Sequence, residues 1–141
     1  NRDDLYESNV NPIATFPGQG VVVFGQKTLQ KKSSALDRVN VRRLMIKVKK
    51  FIAASSRFLV FEQNNAATRQ RFLNIVTPYL EQVQAQSGLS TFKVVMDESN
   101  NTPDVVDRNI LLGQLFLQPT RTAEFVVLDF TIQATGATFP E

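Results

Sequence analysis

The sequence contains no cysteine and no histidine, and these two absences exclude several kinds of site. Without cysteine the chain has neither a disulfide nor a thiolate zinc site. Without histidine it lacks the commonest general base and the commonest metal ligand. A nucleophilic serine would then need a lysine or a carboxylate as its base, and neither adjacent serine pair, at 33–34 or 55–56, has one at a supporting spacing. We therefore expect no enzymatic activity and no cofactor.

Long apolar runs are also missing. No stretch approaches the ~20 apolar residues of a membrane span, and no basic-then-apolar signal peptide opens the chain. A hydrophobic content of 43% in 141 residues is ordinary for one globular domain. We expect a single soluble, intracellular domain without a membrane partner. Because the first residue is asparagine rather than methionine, we also expect a piece of a longer polypeptide.

The stretch "GVVVFGQKT", residues 20–28, comes close to the phosphate-binding loop G-x-x-x-x-G-K-[ST]. However, Gln26 stands between Gly25 and Lys27, so the spacing of the motif is broken. The residues between the two glycines are strand-like and apolar, and such a run does not turn its N–H groups towards a phosphate. A strand that ends in a turn is the simpler interpretation.

Acidic residues surround an asparagine-rich loop at 98–109, but they lack the spacing and the terminal glutamate of an EF-hand. The interpretation as solvated turn residues is favoured, and no metal site is expected. Thr102 and Pro103 have the form of a helix cap and a first-turn proline, so we expect local hydrogen bonds to order this loop. The acids concerned are Asp97, Glu98, Asp104 and Asp107.

Hydrophobic periodicity predicts two main helices. Apolar residues from Val41 to Ile52 recur at i, i+3, i+4 and i+7, which indicates a helix of about 15 residues with one buried face. A second helix is expected to bury residues between Phe72 and Val83 and to end near Gly88. Pro78 lies inside it, so this helix either kinks or restarts there.

Strands are predicted at five places by runs of β-branched and alternating apolar residues. The resulting order β-α-β-α-β-β-β indicates an α+β fold in which two main helices pack on a mixed, largely antiparallel sheet in a single domain. The predicted organisation is an extended segment that enters the domain at 1–19, the domain itself at 20–134 and a C-terminal extension at 135–141. The predicted strands are 21–24, which is expected to be buried, 58–62, 92–97, 110–118 and 124–134.

Positive charge is concentrated in "DRVNVRRLMIKVKK", residues 37–50, which holds six of the sixteen basic residues. The segment carries a net charge of +5, so the rest of the chain, whose total is +3, sums to −2. A solvated helix face normally interleaves glutamate with lysine, but no acid occurs between Asp37 and Glu62. A negatively charged partner or a plain solvated face both fit this pattern. Nucleic-acid binding is a competing hypothesis, although only Phe51 could supply base stacking.

Several long motifs, taken together and in order, resemble the last domain of contractile phage tail sheath proteins, and in particular those of large myoviruses. The resemblance extends from about residue 11 to residue 139. It rests on "GVVVFGQKTL" at 20–29, "RVNVRRLMIKVKKFI" at 38–52, "FEQNNAATRQRF" at 61–72, "FKVVMDESNNTPDVVDRN" at 92–109, "PTRTAEFVVLDF" at 119–130 and a final T-G-A-T-F at 135–139.

The resemblance implies a structural protein of the virion, assembled in the host cytoplasm. Such a subunit forms stacked hexameric rings around the tail tube and contracts to drive the tube into the host cell. The implied partners are other sheath subunits, the tail tube protein, and the baseplate and tail terminator proteins, with no nucleic acid and no membrane. The alternative hypothesis remains a nucleic-acid-binding α+β module that uses the basic helix at 38–50.

Two sets of residues are candidates for contacts between subunits. The resemblance implies that an extended terminal strand pairs with a sheet edge of a neighbour, and the predicted strand at 124–134 supplies an edge whose unpaired backbone groups a neighbouring strand can satisfy. The basic face is then expected to point at the tube or at an acidic neighbouring subunit. The basic face consists of Arg42, Arg43, Lys47, Lys49 and Lys50, and the strand-pairing edge consists of Glu124, Phe125, Val126, Val127, Leu128, Asp129, Phe130, Thr131 and Ile132.

Overall fold

The fold is known from a computed structural model that describes residues 1–128. Four helices and four strands occur in these residues, in the order α, β, β, α, α, β, α, β. The α+β class is confirmed, as are the two main helices and the antiparallel pairing. The elements are α1 Arg2–Glu7, β1 Ile13–Phe16, β2 Gly20–Val23, α2 Val39–Ser55, α3 Ala66–Ala85, β3 Leu89–Val95, α4 Pro103–Asp107 and β4 Gln114–Pro119.

The described strands form two separate two-stranded antiparallel sheets, β1–β2 and β3–β4, rather than one mixed sheet. In the first sheet Ile13 lies opposite Val23. Its connection needs glycine, because Gly18 and Gly20 have φ angles of 79° and 72°. The division into two sheets could not be predicted from local patterns, because periodicity identifies strands but does not show which strands pair.

The core lies where α3 packs on β3 and α2 packs against α3. Its fully buried residues come from both helices and from the β3–β4 region, and they match the apolar faces that periodicity predicts. Pro78 lies inside an unbroken α3, so the helix does not restart there. Buried residues on both sides of the proline, Val76 and Leu80, hold the helix against the core. The core cluster is Val48, Phe72, Val76, Leu80, Leu89 and Met96.

The predicted strand at 58–62 is wrong. A 3-10 turn at Arg57–Leu59 stands there, and Phe61 follows with a left-handed φ of 71° and a fully exposed side chain. Ten residues join α2 to α3, and no strand in the described part of the chain lies beside them to supply ladder hydrogen bonds. The β propensity of "FLVFE" is therefore overridden by its tertiary surroundings.

Other predicted boundaries also shift. Residues 1–19 were expected to be extended, but they contain α1 and β1. The Asn1 side chain caps α1 by accepting a hydrogen bond from the Asp3 N–H. Strand β2 confirms the strand at 21–24, but it is not buried: the side chains of Val21 and Val23 are 73% and 71% exposed, because a two-stranded sheet covers only one of its faces. Strands β3 and β4 begin three residues before and four residues after their predicted starts.

The last predicted strand, at 124–134, is only partly inside the described residues. Residues 124–128 form no strand there, and residues 129–134 lie outside the described part of the chain. The alternation of apolar and polar residues that predicts this strand is a local property. A strand also requires a hydrogen-bonded neighbour, and residues 1–128 supply none for this segment.

The asparagine-rich loop is ordered by its own hydrogen bonds, as predicted. The buried Asn101 side chain donates to the Leu112 carbonyl at 2.8 Å and to the Asp97 carbonyl at 3.1 Å, and it accepts from the Leu112 N–H at 2.8 Å. Helix α4 begins at Pro103 with Thr102 in the cap position, but the Thr102 side chain makes no capping hydrogen bond. Asn101 therefore joins the two ends of the loop.

We expect Asn101→Ala to lower the free energy of unfolding by about 1–3 kcal/mol, because it removes the hydrogen bonds that the buried Asn101 side chain makes with the Leu112 backbone. Urea denaturation followed by circular dichroism measures the change. Asn74→Ala on the exposed face of α3 is the matched control, with an expected change within about 0.5 kcal/mol. Equal stability of the two variants would show that Asn101 does not hold the loop.

Candidate interaction surfaces

The exposed face of α2 carries the five basic residues that the sequence singles out. Arg42, Arg43, Lys47, Lys49 and Lys50 are all exposed, and none of them forms an ion pair with any residue in the range 1–128. At 3.6 residues per turn, they spread over the outer half of the helix rather than along one line. The structure therefore brings all five onto one broad cationic surface.

The buried face of α2 fixes the orientation of this cationic surface. Val41 and Val48 are buried, and Leu44, Met45 and Ile52 pack against the core. Burying apolar side chains of this kind is the main contribution that a helix makes to stability. The basic residues are consequently not needed for folding and are free to contact a partner.

The cationic surface also contains one exposed apolar side chain. Ile46 lies among them on the exposed face and is 46% exposed. Phe51, the one aromatic residue of this helix, is turned inwards and stacks on Tyr79 with ring centroids 3.8 Å apart. The surface thus offers charge and one aliphatic contact but no exposed ring for base stacking, a combination more typical of a protein partner than of single-stranded nucleic acid.

The C-terminal part of the described chain forms a second surface. Phe125, Val126, Val127 and Leu128 are 69%, 79%, 90% and 71% exposed, and they belong to no strand. Four consecutive large apolar residues in this state form an exposed apolar segment, and such segments mark interaction sites on soluble proteins.

The exposed apolar segment follows directly after Glu124, whose side chain is held by hydrogen bonds. The Glu124 side chain, only 11% exposed, accepts hydrogen bonds from Arg38 Nε at 2.6 Å and from Gln26 Nε2 at 3.3 Å. The hydrogen bond with Glu124 raises the pKa of the Arg38 guanidinium above its ordinary value. Of the nine predicted edge residues, Glu124 is therefore engaged within its own domain, the next four are exposed, and Asp129, Phe130, Thr131 and Ile132 lie outside the described residues.

The β1–β2 hairpin is a third surface, and sequence patterns did not indicate it. Ile13, Val21 and Val23 point to one face and are 69%, 73% and 71% exposed. Within residues 1–128 both outer edges of the hairpin lack a neighbouring strand. Because a lone two-stranded hairpin is marginally stable in water, a third strand would stabilise it. The signal in the sequence was the β-branched run at 21–23, which we interpreted as a buried strand.

The remaining candidates do not form chemical sites in the described residues. Lys27 is fixed by backbone hydrogen bonds to the Asn11 side chain, and its Nζ lies 4.0 Å from the centroid of the Tyr6 ring instead of facing a phosphate loop. Hydrogen bonds from Ser99 lower the pKa of Asp97. No group of three potential metal-ligating residues occurs in residues 1–128. Across the same range, no helix is both long and apolar enough to cross a membrane.

The described architecture, with two packed helices and two small antiparallel sheets, is similar to that of chains in solved structures of contractile injection systems. The chain aligns with a chain in the cryo-EM structure of the anti-feeding prophage baseplate, 6-fold symmetrised, with a TM-score of 0.82 and 26% identity over 95% of this chain and 40% of that one. It also aligns with the sheath complex of an extracellular contractile injection system, PVC, in the contracted state, with a TM-score of 0.80 and 29% identity over 86% of this chain and 36% of that one.

The chain belongs to the phage tail sheath C-terminal domain family, which matches residues 31–134. It is 41% identical over 140 residues to the tail sheath protein of Enterobacteria phage T4 and 39% identical over 140 residues to that of Vibrio phage KVP40. Each alignment covers 99% of this chain but 21% of the relative, so the chain spans about a fifth of the length of these proteins. The family is a structural one, in agreement with the sequence resemblance.

Proposed function

We propose that this chain is the inner, C-terminal domain of a contractile tail sheath subunit. The subunit assembles into hexameric rings stacked around the tail tube and contracts to drive the tube into the host cell. Its membership of the sheath family and its likeness to a sheath complex in the contracted state support this function. Baseplate and tail terminator proteins are the partners at the two ends of the sheath, and assembly takes place in the host cytoplasm before the virion is complete.

The proposed mechanism of assembly is strand exchange, in which residues 125–128 of one subunit pair with a sheet edge of a neighbouring subunit. The observation that carries it is the exposed apolar segment at 125–128, which follows the tightly held Glu124 and has no strand neighbour within the described residues. A neighbouring sheet edge would satisfy its backbone groups by strand addition and cover its side chains. Such a joint is flexible at its linkers, so it can survive a large rigid-body movement of the subunits.

The β1–β2 hairpin is the acceptor that the geometry supports best. Its exposed β-branched face and its unpaired edges match an incoming strand of consecutive apolar residues. In a strand, Phe125 and Val127 would point to one side and Val126 and Leu128 to the other. Both faces of the extended sheet would then gain apolar contacts, and the marginal hairpin would become a sheet of at least three strands.

The cationic surface of α2 is proposed to contact an acidic surface of the tube or of a neighbouring subunit. An exposed ion pair contributes only ~0.5–1 kcal/mol, but the many subunits of a sheath repeat the same contact. Weak contacts of this kind hold a long sheath by summation and still release during contraction. Individually strong contacts would oppose that movement.

Electron microscopy of the complete subunit that contains this domain tests the proposed function. We expect rings or tubes, and we expect no measurable affinity for nucleic acid in filter binding at physiological salt. A nucleic-acid-binding module would give no tubes, and it would show an affinity that falls steeply and linearly with salt on logarithmic axes. That second result would overturn the assignment.

A further inference from the structure

A cluster of polar and aromatic side chains holds the C-terminal segment at the point where it leaves the domain. Glu124 provides its centre and contacts Arg38 and Gln26, which are 86 and 98 residues away in the sequence. Gln26 Nε2 also donates to Thr122 Oγ1 at 2.6 Å. We call these four residues, Gln26, Arg38, Thr122 and Glu124, the latch. Local sequence patterns connect none of them.

Backbone hydrogen bonds hold Gln26 and Arg38, the two latch residues that donate to Glu124, side by side. The Thr28 N–H donates to the Asp37 carbonyl at 2.9 Å, and the Val39 N–H donates to the Gln26 carbonyl at 2.8 Å. Asp37 further fixes the Arg38 guanidinium, with its carboxylate 3.3 Å from Arg38 Nη1. The Arg38 side chain therefore has little freedom, and it presents its Nε–H to Glu124 in a fixed direction.

Arg2, in α1, contacts three aromatic rings of the cluster. Its guanidinium carbon lies 5.2, 4.8 and 5.0 Å from the ring centroids of Tyr6, Phe24 and Phe125, all within the range of cation–π attraction. Its Nη1 also donates to the Glu124 backbone carbonyl at 3.5 Å. Among residues 1–128, Phe125 is therefore the last with contacts of this kind, and the next three side chains are 71–90% exposed.

We propose that Glu124, Arg38 and Gln26 are positioning residues that fix the point and the direction in which the C-terminal segment leaves the domain for a neighbouring subunit. The inference rests on the strand exchange proposed above and adds the device that sets its register. A slip of one residue in a paired strand turns every side chain to the opposite face. A fixed point of departure prevents that slip, because it determines which residue first reaches the acceptor.

An ion pair suits this role better than apolar packing. Two partly buried charges have one favourable pairing, whereas apolar side chains slide past each other at little cost, so buried ionic groups can specify register. Holding the start of the segment also raises the effective concentration of the remainder near its acceptor. The latch thus acts before assembly, in the free subunit.

The test uses the complete subunit with Glu124→Gln, which keeps the shape of the side chain and removes its charge. We expect the Arg38 Nε–H, which donates to Glu124, to exchange hydrogen roughly tenfold faster in the unassembled subunit, and the critical concentration for sheath polymerisation to rise roughly tenfold. Far-UV circular dichroism is expected to match the parent. The control is Glu81→Gln, because Glu81 is an exposed carboxylate on α3 without an ion pair in the described residues. We expect it to change neither the hydrogen exchange nor the critical concentration.

Two further variants make each outcome decisive. Gln26→Ala removes two hydrogen bonds of the latch without leaving a buried charge, and we expect the same changes in smaller size. In Arg38→Gln with Glu124→Gln, the effects are expected to be less than additive, because each single change already breaks the pair. The proposal would be overturned if hydrogen exchange and polymerisation were both unchanged in Glu124→Gln and in Gln26→Ala. A general loss of folding in both variants would also overturn it.

The failure of the latch and the failure of strand exchange give different results. If a proline within residues 125–128 stops polymerisation while Glu124→Gln polymerises like the parent, strand exchange stands and the latch is refuted. If the proline variant polymerises normally, strand exchange itself is refuted, and with it the need for a latch. Loss of polymerisation with the proline, together with weakened polymerisation in Glu124→Gln, supports both.

Discussion

We expect Val127→Pro in the complete subunit to abolish sheath polymerisation while this domain stays folded. Proline has no N–H to donate to a neighbouring strand, and it is tolerated only at edges that carry no hydrogen bond. Val127 is 90% exposed and belongs to no described strand, so the fold of the free subunit does not depend on it. Electron microscopy and sedimentation measure polymerisation, and circular dichroism measures folding.

The control is Val127→Thr, which keeps the β-branched shape and the N–H and is expected to polymerise. Val126→Pro extends the test, because successive N–H groups of a strand point in opposite directions. If the donated segment becomes an edge strand, only one of the two prolines is expected to block assembly strongly. If it enters between two strands, both are expected to do so. Tubes of normal length from both proline variants would contradict strand donation.

Reversing Arg43, Lys47 and Lys50 to glutamate is expected to leave the domain folded and to prevent assembly of the sheath on the tube. The buried face of α2 is untouched by this change, since Val41 and Val48 supply its core contacts. Loss of three exposed ion pairs weakens the contact by about 1.5–3 kcal/mol per subunit, and repulsion adds to this loss. Raised ionic strength is expected to act in the same direction on the parent, because salt screens exposed charges over ~8–10 Å.

The matched control is the reversal of Lys31, Lys32 and Lys93, which changes the net charge equally at exposed positions away from α2. We expect that variant to assemble. Assembly on the tube is scored by electron microscopy, with circular dichroism as the folding check. Equal loss of assembly in both triple variants would show that net charge, rather than the cationic surface of α2, governs the contact. Normal assembly of the α2 variant would show that this face meets only solvent.

The parts of the fold that depend on local periodicity were predictable. The apolar spacing from Val41 onwards identified α2, and the same reasoning identified α3 and its buried Val76 and Leu80. Exposure of the basic residues followed as well, because it is fixed once the buried face of the helix is known. Helical periodicity is reliable here because each helix places one apolar stripe against a single core.

Strands were less predictable, because a strand needs a partner that local sequence does not specify. "FLVFE" has the composition of a strand, yet no strand in residues 1–128 pairs with it, and Phe61 is exposed in a left-handed conformation. The run at 21–23 was correctly identified as a strand, but its burial was not, since that depends on how many strands join the sheet.

The sequence by itself determined the family, the two main helices, the exposed cationic surface and the apolar character of residues 125–128. Only the tertiary structure decided that the strands divide into two small sheets and that Glu124 is held by Arg38 and Gln26. The physical reason is distance along the chain. Helical periodicity is encoded within a few neighbouring residues, whereas the latch joins positions 86 and 98 residues apart that meet only after the domain has folded.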